Sequence, residues 1–151
     1  ATTSLMVEYL MTTKVEGPLL DMGSGTAVLA ILARILGVED VTAIDIDEWA
    51  FENAPDNCEL NGVDDIEILM GDASLLGPKK FNTIMANINR NVLLEDIPKY
   101  ADVLHKNGQL FVSGFYVEDL DRIKDVATRS GFNFNGNLTK DNWVSARFIK
   151  A

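Results

Sequence analysis

The stretch Leu19-Leu20-Asp21-Met22-Gly23-Ser24-Gly25-Thr26-Ala27 constrains the fold more than any other part of this 151-residue chain. A short apolar run breaks at two closely spaced glycines. It resumes over 27–36 as an apolar helix pattern that Gly37 stops. Glycine lets the backbone turn sharply and lets another group come close to the main chain. Strand, glycine turn and helix in that order open an α/β sheet. The alternation continues, with strand patterns over 18–21, 41–44, 66–70, 81–86 and 110–113. Between them fall helix patterns over 48–60, with Asp47 as N-cap, over 92–104, kinked or restarted at Pro98, and over 118–130, closed by Gly131. A first helix runs from Thr2 or Thr3 to about Met11, with Leu5, Tyr9 and Leu10 on one face. Two last strands, 132–138 and 143–149, stand too close to enclose a crossover helix and should pair as an antiparallel hairpin. The expected architecture is a mostly parallel seven-stranded sheet with an antiparallel terminal hairpin and helices on both faces. Ligands of such sheets sit beyond the carboxyl ends of the strands, where the strand order reverses. The glycine turn belongs there.

Composition narrows the class. At 47% hydrophobic and 24% charged residues the chain is neither disordered nor fibrous, and its length corresponds to one domain. The longest apolar stretch, 27–38, is interrupted by Arg34 and too short to span a bilayer. Thirteen Lys and Arg against 23 Asp and Glu give a net charge of −10. Such a surface repels nucleic-acid backbones and draws a cationic ligand or a basic protein. Cys58 is the only cysteine, which excludes an intrachain disulfide and a thiolate zinc cluster and suits a reducing compartment. The start has no signal-peptide pattern, so a cytoplasmic location is expected, away from membranes. The first residue, Ala1, fits a piece of something longer.

A second acid gives the glycine turn its chemistry. Asp45 closes the second strand, 20 residues beyond Gly25, where a carboxylate can accept both hydroxyls of a nucleoside ribose. The alternative is a plain tight turn with a solvated Asp. A dinucleotide would bring a pyrophosphate to the turn, and Asp21 opposes that charge. Val28 occupies the slot of the third dinucleotide glycine, and no Gly-Lys-Ser/Thr follows the turn. S-adenosyl-L-methionine carries a sulfonium and an ammonium without phosphate, and suits Asp21 and the overall charge better. Asp72, after the third strand, can accept from an adenine amine or merely cap a turn. Asn87, after the fourth, can aim its amide oxygen at a substrate nitrogen or serve a turn. His105 is read at a helix end, Cys58 as a packed small hydrophobe, and Phe115 and Tyr116 in a loop after the fifth strand. Trp49 and Phe51 are read as packing residues, one of them alternatively walling the adenine pocket.

Asp21-Met22-Gly23-Ser24-Gly25 with Ile44-Asp45-Ile46-Asp47 resembles the cofactor motifs of class I S-adenosylmethionine-dependent methyltransferases. The chain is most similar to one family of them, the methyltransferases of ribosomal protein L-eleven. The stretches that carry this are Ala1-Thr2-Thr3-Ser4-Leu5, Glu52-Asn53-Ala54 to Asn61-Gly62-Val63, Ala86-Asn87-Ile88, Ser113-Gly114-Phe115, Ser130-Gly131-Phe132 and Asn142-Trp143-Val144. The resemblance implies a Rossmann-like class I methyltransferase fold and methylation of amino groups, the α-amine and lysines, of a ribosomal large-subunit protein. It implies cofactor contacts from Thr3, Gly23, Asp45 and Asn87. With the residue-based readings, the expected cofactor set is Thr3, Asp21, Gly23, Gly25, Asp45, Ile46, Asp72 and Asn87, with Asn87 catalytic and no metal. Ala27 departs from the family's last turn glycine. The family's N-terminal recognition domain and its Gly-rich, His-containing segment are not in these residues, so residues 1–151 are expected to form the methyltransferase domain alone. The alternatives are a methyltransferase for another protein, RNA or small-molecule amine, a dinucleotide dehydrogenase, and a non-catalytic cofactor-binding module.

Overall fold

The computed structural model describes residues 2–151; Ala1, which opens the first of the resembling stretches, lies outside the described residues. Five helices, α1 (Thr2–Thr12), α2 (Val28–Ile35), α3 (Glu48–Leu60), α4 (Arg90–Val103) and α5 (Leu120–Arg129), flank seven strands. The strands are β1 (Leu19–Met22), β2 (Val41–Asp45), β3 (Glu67–Met70), β4 (Phe81–Asn87), β5 (Leu104–Tyr116), β6 (Phe132–Lys140) and β7 (Trp143–Lys150). They form one sheet in the order β3-β2-β1-β4-β5-β7-β6. β1 to β5 pair in parallel, and β7 runs antiparallel to both β5 and β6. The expected seven-stranded architecture is the one observed.

Burial follows from this layering. β1 lies inside the sheet between β2 and β4 with all four residues buried, since a parallel strand is covered on both faces. Leu20, Met22, Ile44 and Ile84 turn to the side packed by α4 and α5, while Leu19, Val41, Ala43 and Met85 turn to the side packed by α1 and α2. α1 lays Met6, Tyr9 and Leu10 on that second face, with the Tyr9 ring 5.1 Å from that of Phe111 and the Ser145 hydroxyl donating to the Met6 sulfur at 3.2 Å. The β6–β7 hairpin closes on Asp141 and Asn142, both at positive φ (51° and 70°), the two-residue turn that matches strand twist.

Local readings changed in five places. β5 extends over 13 residues rather than four: β7 pairs with it from Gln109 to Tyr116, past Ser113 where pairing with β4 ends, and at its start Leu104 pairs with Phe81 of β4. His105 therefore sits at the start of a strand, not at a helix end. Phe115 and Tyr116 lie inside β5, Phe115 buried, and a register shift between Ser113 and Phe115 marks a bulge at Gly114. Ala27 precedes α2 instead of opening it, at φ 70° and fully buried. Trp49 is 64% exposed rather than packed. Cys58 is buried, as expected. No helix among the described residues is long and apolar enough to cross a membrane.

Candidate active site

The chain leaves β1 for β2 on one side and returns to β4 on the other, so a crevice opens between the carboxyl ends of β1 and β4. Gly23 lines it at φ 71°, and Gly25, at φ 57°, follows in the same turn. The amides of Gly23 and Ser24 donate to the Ile44 carbonyl at 2.9 and 3.1 Å, which ties the turn to β2. A side chain at Gly23 would run into Ile88, the residue after β4, so glycine is required by close approach as well as by φ.

Asp45 is fixed by main-chain donors. One carboxylate oxygen accepts from the Gly25 amide at 2.7 Å, the other from the Asp47 amide at 2.8 Å. Asp47 in turn caps α3 by accepting from the Trp49 amide at 2.9 Å. A carboxylate has about four acceptor positions, so two remain for a ligand. Asp72 accepts from the Ser74 amide at 2.9 Å and caps a single 3-10 turn; the Ser74 bonds hold its carboxyl below the usual range. The turn-capping alternative for Asp72 is thus built, and the residue also faces the crevice. Asn87 ends β4 half-buried, its Nδ2 donating to the Thr3 hydroxyl at 3.5 Å across from α1.

The crevice has a volume of about 410 Å³, within the ~300–1,000 Å³ range typical of small-molecule sites. It brings together Gly23, Asp45, Ile46, Asp72 and Asn87. Three expected residues do not line it. Gly25 supports Asp45 from behind, Thr3 reaches it through Asn87, and Asp21 lies beneath the turn. Asp21 is 0% exposed and neither of its oxygens has a hydrogen-bond partner among the described residues. Burial pushes its pKa up to about 7; the Ala30 amide at the start of α2 opposes this and the Asp45 charge adds to it.

α4 supplies a wall that the strand-end reading missed: Val92, Glu95, Asp96 and Lys99. Their spacing of three and four residues puts them on one helix face, a signal legible in the sequence once Asn89 is taken as the N-cap. Asp96 and Lys99 pair at 3.3 Å. Four carboxylates, Asp45, Asp72, Glu95 and Asp96, thus face one lysine. Ile46, 72% exposed, and Val92 give the crevice apolar surface. A larger hollow of about 590 Å³ lies between α3 and the edge strand β3, away from the strand ends and Asn87.

The family model for "Ribosomal protein L11 methyltransferase (PrmA)" matches residues 1–151. The chain belongs to this family. A ribosomal protein L11 methyltransferase of Bacteroides fragilis is 46% identical over 150 residues, 98% of this chain and 54% of that protein. One from Phocaeicola vulgatus is 45% identical over 150 residues, 98% of this chain and 53% of its own length. The chain therefore spans about half the length of the curated relatives it matches. Among solved structures, ribosomal protein L11 methylase from Lactobacillus delbrueckii subsp. bulgaricus superposes with a TM-score of 0.90 at 28% identity, covering 99% of this chain and 79% of that one. M. jannaschii TYW2 in complex with AdoMet shares the fold alone, at a TM-score of 0.76 and 15% identity over 99% of this chain and 76% of that one. Class membership, family and Rossmann-like methyltransferase fold agree with the resemblance drawn from the motifs.

Proposed function

We propose that this chain is the S-adenosyl-L-methionine-binding catalytic domain of an N-methyltransferase whose substrate is a ribosomal large-subunit protein, methylated at its α-amine and lysines. The observation that carries the reading is the Asp45 carboxylate, clamped by two backbone amides at the head of a crevice whose lining holds four acids and one lysine. That donor set fits a nucleoside with cationic groups and disfavours a pyrophosphate. Asp45 would accept the ribose hydroxyls, Asp72 the adenine amine through the oxygen not used by Ser74, and Ile46 would cover the base. Gly23 would leave room for the cofactor against the main chain, and Gly25 would hold Asp45 in place.

When bound, the cofactor supplies a methyl group on a sulfonium, a good leaving group. The protein's part is then orientation and exclusion of water. Asn87, tethered to Thr3, would accept a hydrogen bond from the incoming amine and aim its lone pair. An α-amine, with a pKa of roughly 8, loses its proton readily, whereas a lysine near 10.4 needs burial to do so. No dedicated general base is required. On this reading the protein works in the cytoplasm, and nucleic acid is not its direct partner.

Calorimetric titration of the chain with S-adenosyl-L-methionine, with NAD as comparison, tests the cofactor. Incubation with purified ribosomal protein L11 and cofactor tritiated on the methyl tests the substrate. Saturable binding of the first ligand only, followed by label on the protein, is expected. Binding of NAD alone would overturn the reading.

A further inference from the structure

Asp21 is the one buried acid whose carboxylate finds no partner among the described residues. Strand alternation turns it to the same side as Leu19, toward α2 and α1. The charged and titratable groups on the elements around it do not neutralise it. β2 offers Asp45, already bonded to Gly25 and Asp47. α2 offers Arg34, which is spent on Asp65 at 2.9 Å and on the Val38 carbonyl at 2.8 Å. α1 carries Glu8, which is exposed, and the Tyr9 hydroxyl. β4 has no charged residue. A carboxylate walled off from water and set near a second acid is unfavourable as an anion despite the Ala30 amide, so below neutral pH its proton is retained until a positive charge arrives.

We propose that Asp21 sets the charge preference of the crevice: it holds a proton in the free domain and gives that proton up to solvent when a cationic nucleoside binds above the glycine turn. The inference rests on the function proposed above and adds to it. Asp21 here is a specificity-determining residue acting through charge; it lines no part of the crevice itself. A neutral nucleoside gains nothing from the ionised form, so Asp21 discriminates by charge rather than by shape.

The test compares the full chain with Asp21→Asn by calorimetry at pH 6 to 8, in two buffers of different ionisation enthalpy. The ligands are S-adenosyl-L-methionine and neutral methylthioadenosine. The ligand's own amine titrates near 8 but contributes equally to both proteins, so the difference isolates Asp21. With a free-state pKa of about 7, the native chain should release close to one more proton than the variant at pH 6 and almost none more at pH 8. Its affinity for the cationic ligand, relative to the variant, should rise about fivefold from pH 6 to pH 7 and about tenfold in all from pH 6 to pH 8. Methylthioadenosine should show neither effect. Equal proton counts with both proteins binding would overturn this inference alone. Failure of both to bind S-adenosyl-L-methionine would overturn the proposed function and the inference with it. Should Asp21→Asn not fold, carbon-13 titration of the Asp21 carboxyl in the native chain decides: a midpoint near 7 supports the inference and one below 5 overturns it.

Discussion

Asn87 stands where β4 leaves the sheet, held from behind by Thr3, and its placement rather than its acidity is what the reaction would use. Asn87→Ala should lower turnover about 100-fold, the scale of lost positioning, while the dissociation constant for S-adenosyl-L-methionine changes less than about threefold; single-turnover kinetics with parallel calorimetry separate the two. Asp45→Ala should do the reverse in emphasis, weakening cofactor binding about 10- to 100-fold through loss of charge-assisted hydrogen bonds. Asp21 makes a prediction about the empty domain. Its folded pKa of about 7 exceeds the ordinary value of about 3.9. Below that ordinary value both folded and unfolded chains are protonated and nothing is lost. Between about 4 and 7 the unfolded chain ionises first, so stability falls, by on the order of 4 kcal/mol when complete. Urea denaturation at pH 4 and pH 8 should therefore show Asp21→Asn gaining on the native chain as pH rises; a constant difference would contradict the burial. Much of this was readable beforehand. The 20-residue step from Gly25 to Asp45 became a hydrogen bond between those two residues. That Asp21 sinks beneath the turn was not readable, because motif position does not say which face a strand residue takes.

Elements show where neighbours decide. β5 runs longer than its period signals, since flanking residues such as His105 and Tyr116 mark no strand; pairing with β7 carries it to Tyr116, and Leu104 against Phe81 of β4 starts it. The hairpin was placed from spacing alone, and its Asp141-Asn142 turn agrees. The α4 wall escaped notice because charged residues on an exposed helix face look like ordinary solvation until the helix is docked beside the strand ends. Gly114, at φ 105°, offers an element-level test: a side chain there would strike the Ile88 backbone. Gly114→Ala should cost roughly 2–4 kcal/mol by combined φ strain and overlap. It should also impair turnover through the displaced Asn87; thermal melting and kinetics on the same preparation check both. Ala27→Gly should be nearly neutral by contrast. Relief of roughly 1–2 kcal/mol of left-handed strain is offset by about 0.8 kcal/mol of lost methyl burial, a shift of a few degrees at most in a melting curve.

At the scale of the molecule, a net charge of −10 gathers part of its excess around one crevice. If the proposed function holds, attraction of a basic protein substrate over such a field is screened within about 10 Å at 0.1 M salt. The KM for ribosomal protein L11 should accordingly rise several-fold between low and high salt, with kcat little changed; steady-state assays across a sodium chloride series would show it, and an unchanged KM would mean that contact geometry, not the field, recruits the substrate. The alternation of strands and helices made the sheet legible end to end, since period and glycine punctuation are local properties. Which crevice the sheet would build was legible only as a location, because its walls come from segments far apart in the chain. Ile88 joins several of them. Pressed against Gly23 on one side and Gly114 on the other, with its amide bonded to the Ser113 carbonyl, it rivets the tips of three strands at a single residue. A displacement at the tip of β5 would therefore reach the glycine turn through this one residue, which couples the two sides of the crevice mouth mechanically.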